Sequence, residues 1–271
     1  MFLRKRVQFA IAVSTLALLR VAIAADDTTL SKEEMTHFLL TAKVIKAQDT
    51  GKGITHPKRL TLSDGKITHD ASFQAVDEHK TNMEFGSGGH ELNFVDSYKY
   101  NIAAYRLAEL LGIDDMMPVY VERSYGGNKG SLSWWLPVKM DDIERVHKNI
   151  SPPDLDKWNS QMYRVRVFDQ LVYDTDANLS NVLIGEDWKV WRVDFSRAFR
   201  RNKELRAPKD LVKCDRQLLE RLKALNAGEL AEKTKDYLTK DEVNGVIARR
   251  DKIVATFQAM IAQKGEKEIL Y

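Results

Sequence analysis

Cysteine is nearly absent from this chain. Cys214 stands alone among 271 residues, so an intramolecular disulfide is impossible and stability must come from a packed core. It sits in a Lys213-Cys214-Asp215-Arg216 run with no histidine near it. That makes it a poor metal ligand and leaves a packed or idle thiol. A large charge imbalance is missing too. The formal net charge is +3, but Arg4, Lys5, Arg6 and Arg20 fall in the first 24 residues, where there is no acid. Without those four the net charge is −1. A chain so near neutrality gives no electrostatic case for nucleic acid or an acidic membrane as partner. No apolar run is long enough to span a bilayer well, because Val7 to Leu19 is short and Arg20 interrupts it. There is no internal repeat and no low-complexity tract. His56, His69, His79 and His90 form no H-x-x-x-H pattern and have no carboxylate at ligand spacing, which argues against zinc. A G-x-S-x-G nucleophile turn is also lacking.

What remains is an ordinary globular composition, 44% apolar and 30% charged, with length for one large domain or two lobes. Residues 1–24 read as a secretory signal. Arg4-Lys5-Arg6 is the basic start, Val7 to Leu19 the apolar stretch, and Ala22-Ile23-Ala24 the small-x-small cleavage site. The expected mature chain is secreted or periplasmic and has no membrane span. An uncleaved N-terminal anchor is the alternative.

Along the chain, Ser31-Lys32-Glu33-Glu34 matches a capping box ahead of a short apolar helix. Strands are predicted at Ala42 to Ala47, Lys58 to Leu62 and Ile67 to Val76, with turns at Gly51-Lys52-Gly53 and Asp64-Gly65. Gly86-Ser87-Gly88-Gly89 reads as a mobile loop. Asp96 is expected to open a helix that Gly112 closes, with Ile102, Ala103, Leu107, Leu110 and Leu111 at helical spacing. Pro118 to Arg123 and Ser131 to Val138 read as two further strands. A long helix is expected over Leu155 to Tyr173, then a hairpin over Asn181 to Phe195, a helical region from Pro208 and a last helix from Asp241 to Gln263. Arg249, Arg250, Asp251 and Lys252 read as its polar face. The expected class is α+β and bilobal, with a β-rich part over 25–140 and a mainly helical part over 141–271.

The chemistry concentrates in residues 174–196. Asp176 and Asn181 have four residues between them, in a loop after a long helix. Asp194 follows the strand Trp188 to Val193. This is the order and spacing of a kinase catalytic loop and its metal-binding aspartate. Phosphoryl transfer needs one carboxylate to position and deprotonate the acceptor hydroxyl. It also needs oxygen ligands for the hard cation that neutralises the phosphates. Asp176 takes the first role, Asn181 and Asp194 the second. A calcium loop from Asp174, Asp176 and Asn178 fails, because Leu179 stands where glycine is needed and Gly185 where the bidentate glutamate should be.

These and neighbouring segments carry a resemblance. They are Asn101 to Leu107, Leu111-Gly112, Pro118-Val119 with Glu122-Arg123, Trp134-Trp135, Val167 to Leu171, Asp176 to Asn181 and Val193 to Phe199. From about Gly51 to Arg200 the chain resembles the atypical kinase-like proteins of the Golgi casein kinase, HipA-type and phosphoinositide kinase group, notably their secreted bacterial members. The resemblance implies a bilobal kinase-like fold, ATP with Mg²⁺ or Mn²⁺ in the cleft, and a hydroxyl acceptor on a protein or small molecule.

The chain departs from that pattern where the nucleotide is gripped. Kinases pair a strand lysine with a helix glutamate. Here the matching positions are Gln74 and Asn101. Two amides can hydrogen-bond each other but supply no cation. Lys58 or Arg59 is the candidate replacement, and backbone groups at Gly51 and Gly53 are candidates to approach phosphate. Ser196 replaces the glycine of Asp-Phe-Gly and tolerates positive φ poorly, so the familiar activation-loop switch is not expected. The same losses support an alternative, a pseudokinase acting as a nucleotide- or protein-binding module.

Overall fold

The computed structural model describes residues 30–50, 57–84, 86 and 88–271. The signal-like segment 1–24 and the Gly51/Gly53 turn lie outside the described residues. In chain order the elements are α1 (Lys32–Thr41), β1 (Lys43–Asp49), β2 (Lys58–Ser63), β3 (Thr68–Gln74), β4 (Asp77–Glu84), β5 (His90–Ser97), α2 (Tyr98–Leu111), β6 (Tyr120–Tyr125), β7 (Asn128–Trp134) and β8 (Val138–Asp141). They continue with α3 (Asp142–His147), α4 (Leu155–Val172), β9 (Val182–Gly185), β10 (Val190–Arg192), α5 (Arg216–Ala224), α6 (Ala227–Thr234), α7 (Lys240–Lys264) and α8 (Glu266–Ile269).

Helix α1 starts on the predicted capping box: Glu34 N donates to Ser31 Oγ at 3.1 Å and Ser31 N to Glu34 Oε2 at 2.8 Å. The first part of the chain then builds an antiparallel sheet in the order β1-β2-β3-β7-β6. Alternation along β2 and β3 turns Leu60, Leu62, Ala71 and Phe73 inward, and all four are buried. Helix α2 packs on β6 and β7 with Ile102, Ala103 and Leu107 fully buried. Gly130 in β7 is required at its position, since a Cβ there would lie 2.4 Å from Gln74 O and 2.7 Å from the Phe73 ring.

The sequence misses one unit. Strands β4 and β5 form a separate two-stranded hairpin where only a mobile glycine loop was expected. Its β4 is almost wholly exposed and polar, so it carries no period-2 apolar signal. The helix after it starts at Tyr98, not at Asp96. Ser97 is the cap, its side chain accepting from Lys99 N at 3.3 Å, and Asp96 belongs to β5.

The second half is mainly helical. A short sheet, β10-β9-β8, lies beside α4, whose Phe168, Leu171 and Val172 are fully buried. Helix α7 packs on α4. Arg249 corrects the expectation of a polar face there. It is completely buried and donates to Leu171 O and Arg200 O, each at 2.8 Å, and to Asn202 O. Burial lowers its pKa to about 10. Trp158 and Trp188 pack edge to face at 6.0 Å, and Trp191 is buried. Cys214 is buried as well, with its thiol pushed up to about 12 by burial. Among the described residues no helix is long and apolar enough to cross a membrane.

Candidate active site

A cleft of about 740 Å³ opens between the five-stranded sheet and the β9–β10 hairpin. Gln74, Asn101 and Arg59 line it from one side, Leu183, Val193 and Asp194 from the other. Trp134 and Trp135 stand where the chain passes between the two halves. Trp134 stacks on His69 at 3.8 Å, and the Arg59 guanidinium lies 4.4 Å over the Trp135 ring.

Asp194 has φ 59°, a left-handed conformation that aspartate tolerates better than most residues. The positive φ of this loop therefore falls on Asp194 and not on Ser196. Two consecutive amides of the loop are held by groups from the first half of the chain. Phe195 N donates to Asn101 Oδ1 at 2.7 Å. The Asp194 backbone hydrogen-bonds to the Tyr120 phenol, whose pKa is raised by burial and by the Asp194 charge. Asn101 in turn donates to Gln74 Oε1 at 2.6 Å. The Gln74 and Asn101 amides therefore do hydrogen-bond each other, and they brace the Asp194 loop through Phe195. Asn101→Ala leaves a buried N–H without an acceptor. It should cost about 1–3 kcal/mol of stability in urea melts, whereas Asn101→Asp keeps that acceptor and should lose less.

Asp174 Oδ1 accepts Asp176 N at 2.9 Å, and Asp176 O accepts from Asn178 at 3.0 Å and Asn181 at 3.3 Å. These bonds fix the loop between α4 and β9. Val193 N donates to Asn181 O at 3.0 Å, which brings Asn181 beside the residue before Asp194. Asp176 and Asn181 are not among the cleft-lining residues; Asn181 bonds to Val193 of the lining through this contact, and Asp176 is joined to Asn181 by its carbonyl. The Asp176 side chain is 47% exposed, with Arg197 Nη1 4.0 Å from its Oδ1.

A buried cation underlies the loop, and the sequence reading did not find it. Arg192 is completely buried and pairs with Asp169 at 3.1 Å and with Asp174. It also donates to Val193 O, and at 3.5 Å to Asp194 O. Burial pushes the Asp169 carboxyl up to about 6 against the pull of Arg192, and raises Asp174 for the same reason. Arginine in a strand two residues before an aspartate looks like a surface residue in one sequence; only the fold places two carboxylates around it.

Among the described residues no group of three or more His, Cys, Asp or Glu side chains is placed to hold a metal. The donor set still fits a magnesium-type ion, which takes one or two carboxylates and completes its shell with phosphate and water. Asp194 Oδ1 is buried and has no hydrogen-bond partner. Asp96 Oδ1, likewise buried and unpartnered, lies near enough that the Asp194 charge adds to burial in raising the Asp96 carboxyl. The unpartnered Asp194 oxygen at the cleft is a position that a hard cation would satisfy. Of the two candidate phosphate cations, Lys58 pairs with Asp49 at 2.9 Å and does not line the cleft. Arg59 lines it, but is held by Asp70 and Trp135.

A β-rich first part with one principal helix, a helical second part and a cleft between them define a kinase-like α+β fold. The chain is similar in structure to the proinflammatory kinase CtkA of Helicobacter pylori, with a TM-score of 0.51, 8% identity, and coverage of 83% of this chain and 97% of that one. No family model matches the chain, and no match was found among curated proteins.

Proposed function

We propose that the protein is a secreted atypical kinase-like phosphotransferase that moves the γ-phosphoryl group of ATP to a hydroxyl acceptor. The reading rests above all on the buried, unpartnered Asp194 Oδ1 at the cleft, beside a loop that presents Asp176. Asp194 and the Asn181 amide would hold Mg²⁺ or Mn²⁺, which supplies charge neutralisation at the phosphates when bound. Asp176 positions the acceptor hydroxyl and takes its proton as the new O–P bond forms. The bond between the γ-phosphorus and the β–γ bridging oxygen breaks, and ADP leaves. Gln74 and Asn101 orient the loop without charge, and Arg59 is the cleft cation nearest to hand. The assignment to the Golgi casein kinase, HipA-type and phosphoinositide kinase group belongs to this proposal, as does export directed by residues 1–24.

The test is a thermal shift with ATP and Mg²⁺ or Mn²⁺, followed by transfer of labelled γ-phosphate into periplasmic and envelope extracts. Metal and ATP together should raise the melting temperature, and Asp194→Ala should abolish the metal-dependent part. A ligand at 100 times its Kd stabilises by about 2.7 kcal/mol, well within detection. No shift under any metal would reject the reading. The neutral Gln74–Asn101 pair favours a second one, a pseudokinase binding module. It is selected if Mg·ATP binds with no transfer to any fraction.

A further inference from the structure

We infer that Glu91, on the β4–β5 hairpin, is a positioning residue for Asp176 and acts through Arg197; the inference rests on the phosphotransferase reading above. Glu91 Oε2 accepts from Arg197 Nη2 at 2.8 Å, and its Oε1 accepts from Arg200 Nε at 2.7 Å. All three side chains are at most 20% exposed. Charge-assisted bonds in such a setting are stronger and more directional than surface pairs. The other Arg197 terminal nitrogen is the one 4.0 Å from Asp176 Oδ1. Arg197 also lies 5.1 Å over the Phe94 ring of the same hairpin.

The backbone carries the same connection. Thr175, directly before Asp176, donates to Arg197 O from its amide at 3.3 Å and from its hydroxyl at 3.1 Å. Arg200 Nη2 donates to Thr175 Oγ1 at 3.3 Å. Ser97 N donates to Ser196 O at 2.8 Å, which ties the base of the hairpin to the segment. One carboxylate therefore fixes two arginines that both reach the catalytic loop. In switching kinases a phosphate added to the segment after the metal loop does this by pairing with arginines. Here an unmodified glutamate from a neighbouring hairpin takes the arginines instead. The two arginines thus have a carboxylate partner without phosphorylation. This also gives a role to the hairpin that the apolar pattern did not reveal.

The test measures ADP release and self-phosphorylation from Mg·ATP in the full chain. Glu91→Gln keeps the shape and removes the charge. It should lower kcat at least tenfold and leave the KM for ATP within twofold, because the cleft residues are untouched. In Glu91→Ala, added acetate should restore turnover saturably, whereas sodium chloride at equal ionic strength should not. If Glu91→Gln does not fold, Glu91→Asp, one methylene shorter, gives the same comparison with a smaller loss. An active wild type with an equally active Glu91→Gln overturns this inference alone, as does a kcat loss matched by a rise in KM. A wild type that neither binds nor turns over Mg·ATP overturns the parent reading as well. One that binds without turnover leaves no transfer for Glu91 to support and rejects both in favour of the binding module.

Discussion

Asp176→Asn is expected to lower phosphoryl transfer by about 10²–10⁴-fold while leaving metal-dependent ATP binding intact. The range is that of a positioned general base. The separation of the two effects follows from geometry. Asp176 is half exposed and does not line the cleft, whereas Asp194 does. The backbone at Asp176 is held by Asp174, Asn178 and Asn181, none of which needs its carboxylate. An isosteric amide should therefore keep the loop in place and keep the nucleotide bound. It removes only the group that accepts the acceptor's proton, so kcat should fall with the KM for ATP nearly constant. The measurement is γ-phosphate transfer at saturating ATP, paired with the thermal shift. A variant that transfers at the wild-type rate removes Asp176 from the proposed chemistry. One that loses ATP binding shows that the carboxylate belongs to the nucleotide site.

The sequence made some of this arrangement readable and hid the rest, for physical reasons. The capping box at Ser31, the helix closed by Gly112 and the buried stripe of α4 are local signals, set by hydrogen-bond chemistry and helical spacing within a few residues. The Asp176, Asn181 and Asp194 spacing is local as well, since all three sit on one loop and the hairpin after it. The Gln74–Asn101 bond joins residues 27 positions apart. It could be anticipated only from the resemblance, which sets both residues where a charged pair is expected. The β4–β5 hairpin was not anticipated. Its β4 is exposed and polar along nearly its whole length, and β5 offers only Leu92, Phe94 and Val95, too few to mark a hairpin by alternation. Arg192, Arg249 and Glu91 were hidden for another reason. Their long-range partners lie 18 to 109 positions away, and a buried arginine has the same letter as a solvated one. Their roles depend on which backbone carbonyls and carboxylates the fold brings to them.

Arg192→Met is expected to have the largest effect on stability, about 3–5 kcal/mol, the usual cost of removing one partner from a buried ion pair. The side chains of Arg192 and Asp174 are completely buried, and that of Asp169 is 16% exposed. Methionine fills much of the space but leaves two carboxylates without their cation. It also removes donors to Val193 O and Asp194 O, so the Asp194 loop should loosen with the core. The pH dependence gives the mechanism its sign. The Asp169 carboxyl is pushed up to about 6 in the fold, against about 3.9 in an unfolded chain. A folded-state pKa raised in this way contributes stability that is complete below about pH 4 and is lost as pH rises through about 6. Arg192 opposes that rise, so its removal lifts the folded-state carboxyls further and carries the loss to higher pH. The deficit relative to wild type should be largest near pH 8, where both carboxylates must ionise unpaired, and should shrink at pH 5 as they take up protons. Urea melts of both proteins at the two pH values measure it. Equal stability at pH 8 would show that the triad contributes nothing net. A deficit that grows on acidification would mean that the lost interaction is packing or backbone hydrogen bonding, not charge compensation.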